Sequence, residues 1–124
     1  MNLKAFLLVG IGGAAGSMAR YGIGTVIGKY VANPFPVGTF SINIIGSLLI
    51  GILFGLVAKN QWLQEGGMLL LASGFCGGFT TFSTFALENV NMFQKGQSAM
   101  AIIYVGASVI AGLLLCRAGM WLAS

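Results

Sequence analysis

Long apolar stretches almost free of charge constrain this chain more than any other feature. Four segments, about Leu3–Ile27, Val37–Ala58, Gly67–Leu87 and Ala99–Cys116, each have the roughly 17–25 residues a helix needs to cross a bilayer core. Only 6% of the 124 residues are charged, where a soluble domain carries roughly a quarter. Too few charges remain to cover a water-facing exterior, so the surrounding solvent is lipid. The connections, near Gly28–Pro36, Lys59–Gly66 and Glu88–Ser98, are short, which makes successive spans antiparallel neighbours. The chain reads as an all-α membrane protein, one domain over residues 1–124 with four transmembrane helices.

The remaining composition removes whole classes of function. Histidine is absent and Glu65 and Glu88 are the only acids, so an enzyme centre or a transition-metal site is hard to assemble. The net charge of +4 contains no basic run and offers no nucleic-acid face. Cys76 and Cys116 lie far apart in apolar runs and read as small buried hydrophobes. Lys4 followed by AFLLVGIGGAAGSMA has the form of a signal peptide, but Arg20 and Tyr21 lead straight into another apolar stretch, YGIGTVIG, so the segment reads as a span.

Basic residues give no orientation. Lys4, Lys59 and Arg117 fall on one side of a four-span chain, and Lys29 and Lys95, with Arg20 if it reaches that end, fall on the other. An even split leaves the positive-inside rule silent. Two readings stand: a single orientation won by a narrow margin, or insertion both ways to build an antiparallel homodimer. Glycine is the second loud signal, with 20 residues concentrated in the spans. Gly12–Gly16 and Gly51–Gly55 have the G-x-x-x-G spacing that lets backbones approach, either within one bundle or between subunits. Helices this slim leave little room for a water-lined path inside one subunit, which favours a dimer or larger assembly.

Polar residues inside spans are costly and therefore informative. Arg20 lies deep in the first span, either snorkelling to the interface or supplying a fixed positive charge to an anion vestibule. Asn43, with Thr39 one turn before it, can donate to an anion or bond a neighbouring helix. Tyr104 and Ser108 share a face of the fourth span. In GFCGGFTTFSTFALE, Gly74, Gly77 and Gly78 each weaken a helix by about 1 kcal/mol relative to alanine, and Thr80, Thr81 and Thr84 add little helix preference. A break near mid-membrane is expected, and backbone freed at that depth must be buried in protein or line a cavity. Its carbonyls suit a hard cation that takes only oxygen ligands. Phe79, Phe82 and Phe85 recur every third residue, either as a packing stripe or as ring edges that solvate an anion weakly enough to let it leave. Ser83 and Thr84 place hydroxyl donors beside the rings.

Three segments carry a resemblance: GGAAGSMARY in the first span, GTFSINIIG in the second and GFCGGFTTFSTFALE in the third. Together they are similar to the Fluc, or CrcB, family of fluoride channels, through Gly13, Gly16 and Arg20, then Gly38, Thr39, Asn43 and Gly46, then nearly every position from Gly74 to Glu88. The resemblance implies an antiparallel dual-topology homodimer with the third helix broken mid-membrane. It implies a structural Na+ at the dimer interface, held by backbone carbonyls of Gly77 and Thr80 from each subunit. Fluoride paths would be lined by Asn43, Phe82 and Phe85, with Thr39, Ser83, Thr84, Tyr104 and Ser108 as polar wall. Glu88 would stand at a path mouth, and Arg20 would shape a vestibule or anchor the structure. The implied activity is passive, selective export of fluoride from the cytoplasm across a bacterial inner membrane, conferring fluoride resistance. The alternative is a small proton-coupled exporter of multidrug or guanidinium type. That chemistry needs a membrane-embedded acid, typically in the first span, and this first span has none.

Overall fold

The computed structural model describes residues 2–124, and every element among them is helical. Helix α1 spans Leu3–Tyr30 and α2 spans Val37–Val57. The third crossing is composite. After a kink at Gly66, whose φ of 136° suits glycine alone, a π-helical segment covers Leu69–Cys76. A single α-turn, α3 (Gly77–Phe79), follows, then α4 (Phe82–Gln94). Helix α5 closes the chain over Ser98–Ala123. Four helical runs are thus long and apolar enough to cross a bilayer, with mean hydropathy from 1.2 to 2.3. Large apolar side chains such as Phe6, Ile11, Ile102, Leu113 and Trp121 are exposed around the outside, as lipid requires. The protein is a multi-pass membrane protein.

Local chemistry sets the helix ends. Asn2 caps α1 by accepting the Ala5 amide at 2.8 Å. Pro36 stands immediately before α2, where a missing amide hydrogen removes no helical bond. Gly96, at φ 75°, ends the α4 run in the left-handed conformation typical of a helix stop. The helices outrun the apolar segments: α1 continues past Ile27 to Tyr30, α4 past Leu87 to Gln94, and α5 past Cys116 to Ala123. Hydropathy marks the bilayer boundary rather than the hydrogen-bonding limit, so these ends project beyond the apolar stretch. Only α2 stops where its hydropathy does, at Val57.

Two seams hold the bundle. Helix α1 packs along the π-helical segment and α3, while α2 packs lengthwise against α5. Both seams are built on glycine. A Cβ added at Gly12 would lie 2.9 Å from the Phe75 amide nitrogen and 3.0 Å from Gly74 Cα. One added at Gly51 would lie 2.9 Å from the Cys116 carbonyl carbon. Both G-x-x-x-G pairs are therefore consumed within one subunit, and they supply no argument for a second one. Cys76 is buried and Cys116 half-buried, both as free thiols. At the α4–α5 end, buried Met92, Ala101 and Tyr104 form an apolar cluster under Phe35, Phe40, Phe85 and Met100.

Candidate functional site

Two residues depart from helical geometry within the third crossing. Thr80 (φ −79°, ψ 158°) and Thr81 (φ −148°, ψ 123°) are extended between α3 and α4. The sequence places the weak point at Gly74, Gly77 and Gly78, yet those three remain helical. Their intrinsic cost is offset by close packing: Gly74 and Gly78 lie against Gly12 and Gly13 of α1, where a Cβ could not fit.

The extended pair is held by side chains from other helices. The Thr81 amide donates to Asn43 Oδ1 at 2.8 Å, and Asn43 Nδ2 donates back to the Thr81 carbonyl at 3.1 Å. Asn43 thus offers Thr81 the two-bond pattern of a neighbouring strand, from α2. The Thr84 amide donates to Thr81 Oγ1 at 3.3 Å, which caps α4. Arg20 Nε donates to the Gly78 carbonyl at 3.0 Å, with the Ser17 hydroxyl at 3.5 Å from the same oxygen. These bonds divert two amides from their helical acceptors. Gly77 and Thr80, four residues before Thr81 and Thr84, lose those partners at their carbonyls.

Beside this segment lies an open cavity of about 420 Å³. Its walls include Asn43, Gly77, Thr80, Phe82, Phe85 and Ser108. Phe82 is 79% exposed at its edge, with its ring 5.9 Å from that of Phe85. Phe85 in turn lies 4.9 Å from the ring of Tyr104. The Ser108 hydroxyl is buried without a hydrogen-bond partner. Asn43 uses one of its two amide hydrogens on Thr81, leaving the second for another acceptor.

A second cavity, of about 440 Å³, also touches Thr81 and is bordered by Arg20, Thr39, Thr84 and Glu88. The Glu88 carboxylate is held by two hydroxyls: Thr39 Oγ1 donates to Oε2 at 2.8 Å and Tyr104 to Oε1 at 2.8 Å. Tyr104 is fully buried, so this bond fixes Glu88 against the bundle.

The residues singled out in the sequence therefore fall in two groups around Thr81. Asn43, Phe82, Phe85, Ser108, Gly77 and Thr80 border the first cavity, and Arg20, Thr39, Thr84 and Glu88 the second. Tyr104 lies behind both, linked to Phe85 and Glu88. Ser83 is exposed, its hydroxyl 3.4 Å from Thr81 Oγ1, and borders neither cavity. Thr81 is the residue that sequence reasoning undervalued. It borders both cavities and bonds Asn43 through its backbone. A threonine three residues before Thr84 at the start of a helical run was the available cap signal.

Comparison with known proteins agrees in one direction. Residues 7–120 match the family model described as CrcB-like protein, Camphor Resistance (CrcB). The chain is similar to a protein of Azobacteroides pseudotrichonymphae named fluoride-specific ion channel FluC, with 44% identity over 89% of this chain and 88% of that one. A protein of the same name from Chlorobium phaeobacteroides is 42% identical over 98% of this chain and 94% of its own. A third, from Flavobacterium psychrophilum, is 40% identical over 98% of each chain.

Proposed function

The chain belongs to the CrcB family, and from that premise we propose that it is a passive, selective fluoride channel that exports the ion from the cytoplasm and confers fluoride resistance. It is a channel and not an enzyme. Among the site's features, the first cavity carries the reading furthest. Around an open space it gathers weak, neutral anion ligands: a spare amide hydrogen of Asn43, the unpartnered Ser108 hydroxyl and the rings of Phe82 and Phe85. Fluoride is small and costly to dehydrate, so a path must replace its water with hydrogen-bond donors and positive ring edges. Neutral donors hold the ion weakly enough for it to leave. The rival exporter is not favoured, because α1 holds no acid and Glu88 is tied to Thr39 and Tyr104.

The cavity is open, and Phe82 stands exposed at its edge. We therefore assign the closing wall to a second, inverted copy of the chain, with the third crossing broken at mid-bilayer and the dimer in a bacterial inner membrane. The near-even division of basic residues, with Lys4, Lys59 and Arg117 against Lys29 and Lys95 and with Arg20 tied to the Gly78 carbonyl, supports insertion in both orientations. Gly77 and Thr80 fit the role of sodium ligands, since both carbonyls have lost their helical amides and both residues border the open face. Sodium would supply positive charge shared by the carbonyls of both subunits. Two readouts test this assembly. C-terminal reporter fusions are expected to be active on both sides of the membrane, and detergent-purified dimer is expected to dissociate when sodium is replaced by choline. One-sided reporters would exclude dual topology, and a dimer indifferent to sodium would exclude the ion.

Fluoride efflux from proteoliposomes tests the function itself, with chloride run in parallel. The wild-type protein is expected to release fluoride and retain chloride with no proton gradient imposed. Phe82→Ile and Phe85→Ile are each expected to slow release by about tenfold or more, as loss of a ligand contributing about 1.4 kcal/mol to the barrier requires. Equal rates in wild type and both variants would reduce the rings to packing. No release from folded wild-type protein would end the channel reading.

A further inference from the structure

Helices α2 and α5 run parallel and in register. Gly51 meets Cys116, and Gly55 meets Met120, at successive turns of the seam. Followed toward the N-terminal ends of both helices, the same register pairs Ser47 with Gly112, Asn43 with Ser108 and Thr39 with Tyr104. Each of these pairs has a shared feature. Thr39 and Tyr104 both donate to Glu88. Asn43 and Ser108 border the same cavity. A Cβ built on Gly112 would lie 3.4 Å from Ser47 Oγ. The polar stripe thus has a third rung, roughly 6 Å beyond Asn43 along the helix axis.

We propose that Ser47 is a fluoride-contacting residue. The proposal rests on the channel reading and extends it by one position. Ser47 borders the first cavity together with Asn43 and Ser108. Its hydroxyl donates to the Asn43 carbonyl at 2.8 Å. That carbonyl sits within a helix, so the bond is a local back-bond that a rotation of the side chain can release. An ion held by the spare amide hydrogen of Asn43 then meets a second hydroxyl donor one turn further on. A side chain placed at position 112 would start beside that hydroxyl, across the seam.

Fluoride efflux from proteoliposomes, measured across a range of fluoride concentrations, separates this role from packing. Ser47→Ala is expected to slow release by about tenfold, the worth of one strong hydrogen bond, and to raise the half-saturating fluoride concentration. Ser47→Thr, which keeps the hydroxyl, is expected to stay within about twofold of wild type, a difference well under 1 kcal/mol. In the Ser47→Ala background, Gly112→Ser is expected to restore most of the rate by returning a hydroxyl to the same rung from the other helix. A hydroxyl that served only the Asn43 carbonyl could not be replaced from α5. Unchanged release by Ser47→Ala overturns the proposal, and so does a folded double variant as slow as the single one. If the double variant does not fold, the half-saturating concentration decides, and an unshifted value in Ser47→Ala overturns the proposal. Release by wild type with no effect of Ser47→Ala leaves the channel reading intact. Absence of release by wild type overturns both.

Discussion

Gly16→Ala is expected to destabilise the folded protein by about 3 kcal/mol, the upper range for forcing atoms into a packed interior. Gly22→Ala on the same helix is expected to leave stability unchanged or improve it by up to about 1 kcal/mol, the helix preference of alanine over glycine. The two glycines differ only in what they face. A Cβ at Gly16 would meet the Phe75 carbonyl oxygen, and would lie 2.9 Å from the Phe79 amide nitrogen and 3.0 Å from the Phe75 carbonyl carbon. All three are backbone atoms of the third crossing, so no side-chain rotation can relieve the clash. Helix α1 would have to lift away, withdrawing Ser17 and Arg20 from the Gly78 carbonyl just before the extended pair. At Gly22 a Cβ would meet nothing within 4 Å. Thermal unfolding of the two variants in detergent measures the contrast. Equal midpoints would mean that the α1 seam is slack and that its glycines are not there for close approach.

The same seam explains what the sequence reveals and what it conceals. Four spans are legible because lipid leaves no freedom in composition, and the family is legible because its motifs are long and ordered. The third span begins at Gly67 in the sequence, and the chain kinks one residue earlier, at Gly66. The extended pair is harder to read. Helix preference points to Gly74, Gly77 and Gly78, whereas Thr80 and Thr81 are the residues that leave the helix. Both outcomes are decided by partners distant in sequence. Gly12 and Gly13 of α1 hold Gly74 and Gly78 in helical packing, and Asn43 of α2 supplies the bonds that let Thr81 extend. Local propensity contains neither. Likewise, the spacing of Phe79, Phe82 and Phe85 puts at least two rings on a shared face without saying which. In the fold Phe79 is buried, stacked 5.5 Å from Phe75, while Phe82 and Phe85 border the cavity. Ser83 sits between them in sequence but borders neither cavity.

Because Asn43 holds the extended pair and also borders the cavity, two substitutions at this position are expected to fail differently. Asn43→Ala removes both bonds to Thr81, the amide's at 2.8 Å and the carbonyl's at 3.1 Å. Each backbone group left unpaired in the interior costs about 1–3 kcal/mol, so a loss of about 2–6 kcal/mol is expected. Little folded protein would be recovered. Asn43→Asp keeps an oxygen to accept the Thr81 amide, retaining one of the two bonds. It removes the donor to the Thr81 carbonyl and puts a carboxylate in the cavity wall. Folded protein is expected in reduced yield, with fluoride release slowed by about a hundredfold or more, since a repulsion of about 2.7 kcal/mol at the barrier suffices for that. Yield and melting temperature report the first role, and efflux from the folded fraction reports the second. Wild-type release by Asn43→Asp would confine Asn43 to holding Thr81, and the path would have to run along Ser108 and the rings without it. Normal folding of Asn43→Ala would show instead that Thr81 stays extended without help from α2. The extended pair would then be a property of the third crossing and its α1 seam, and Asn43 would be free to serve the ion alone.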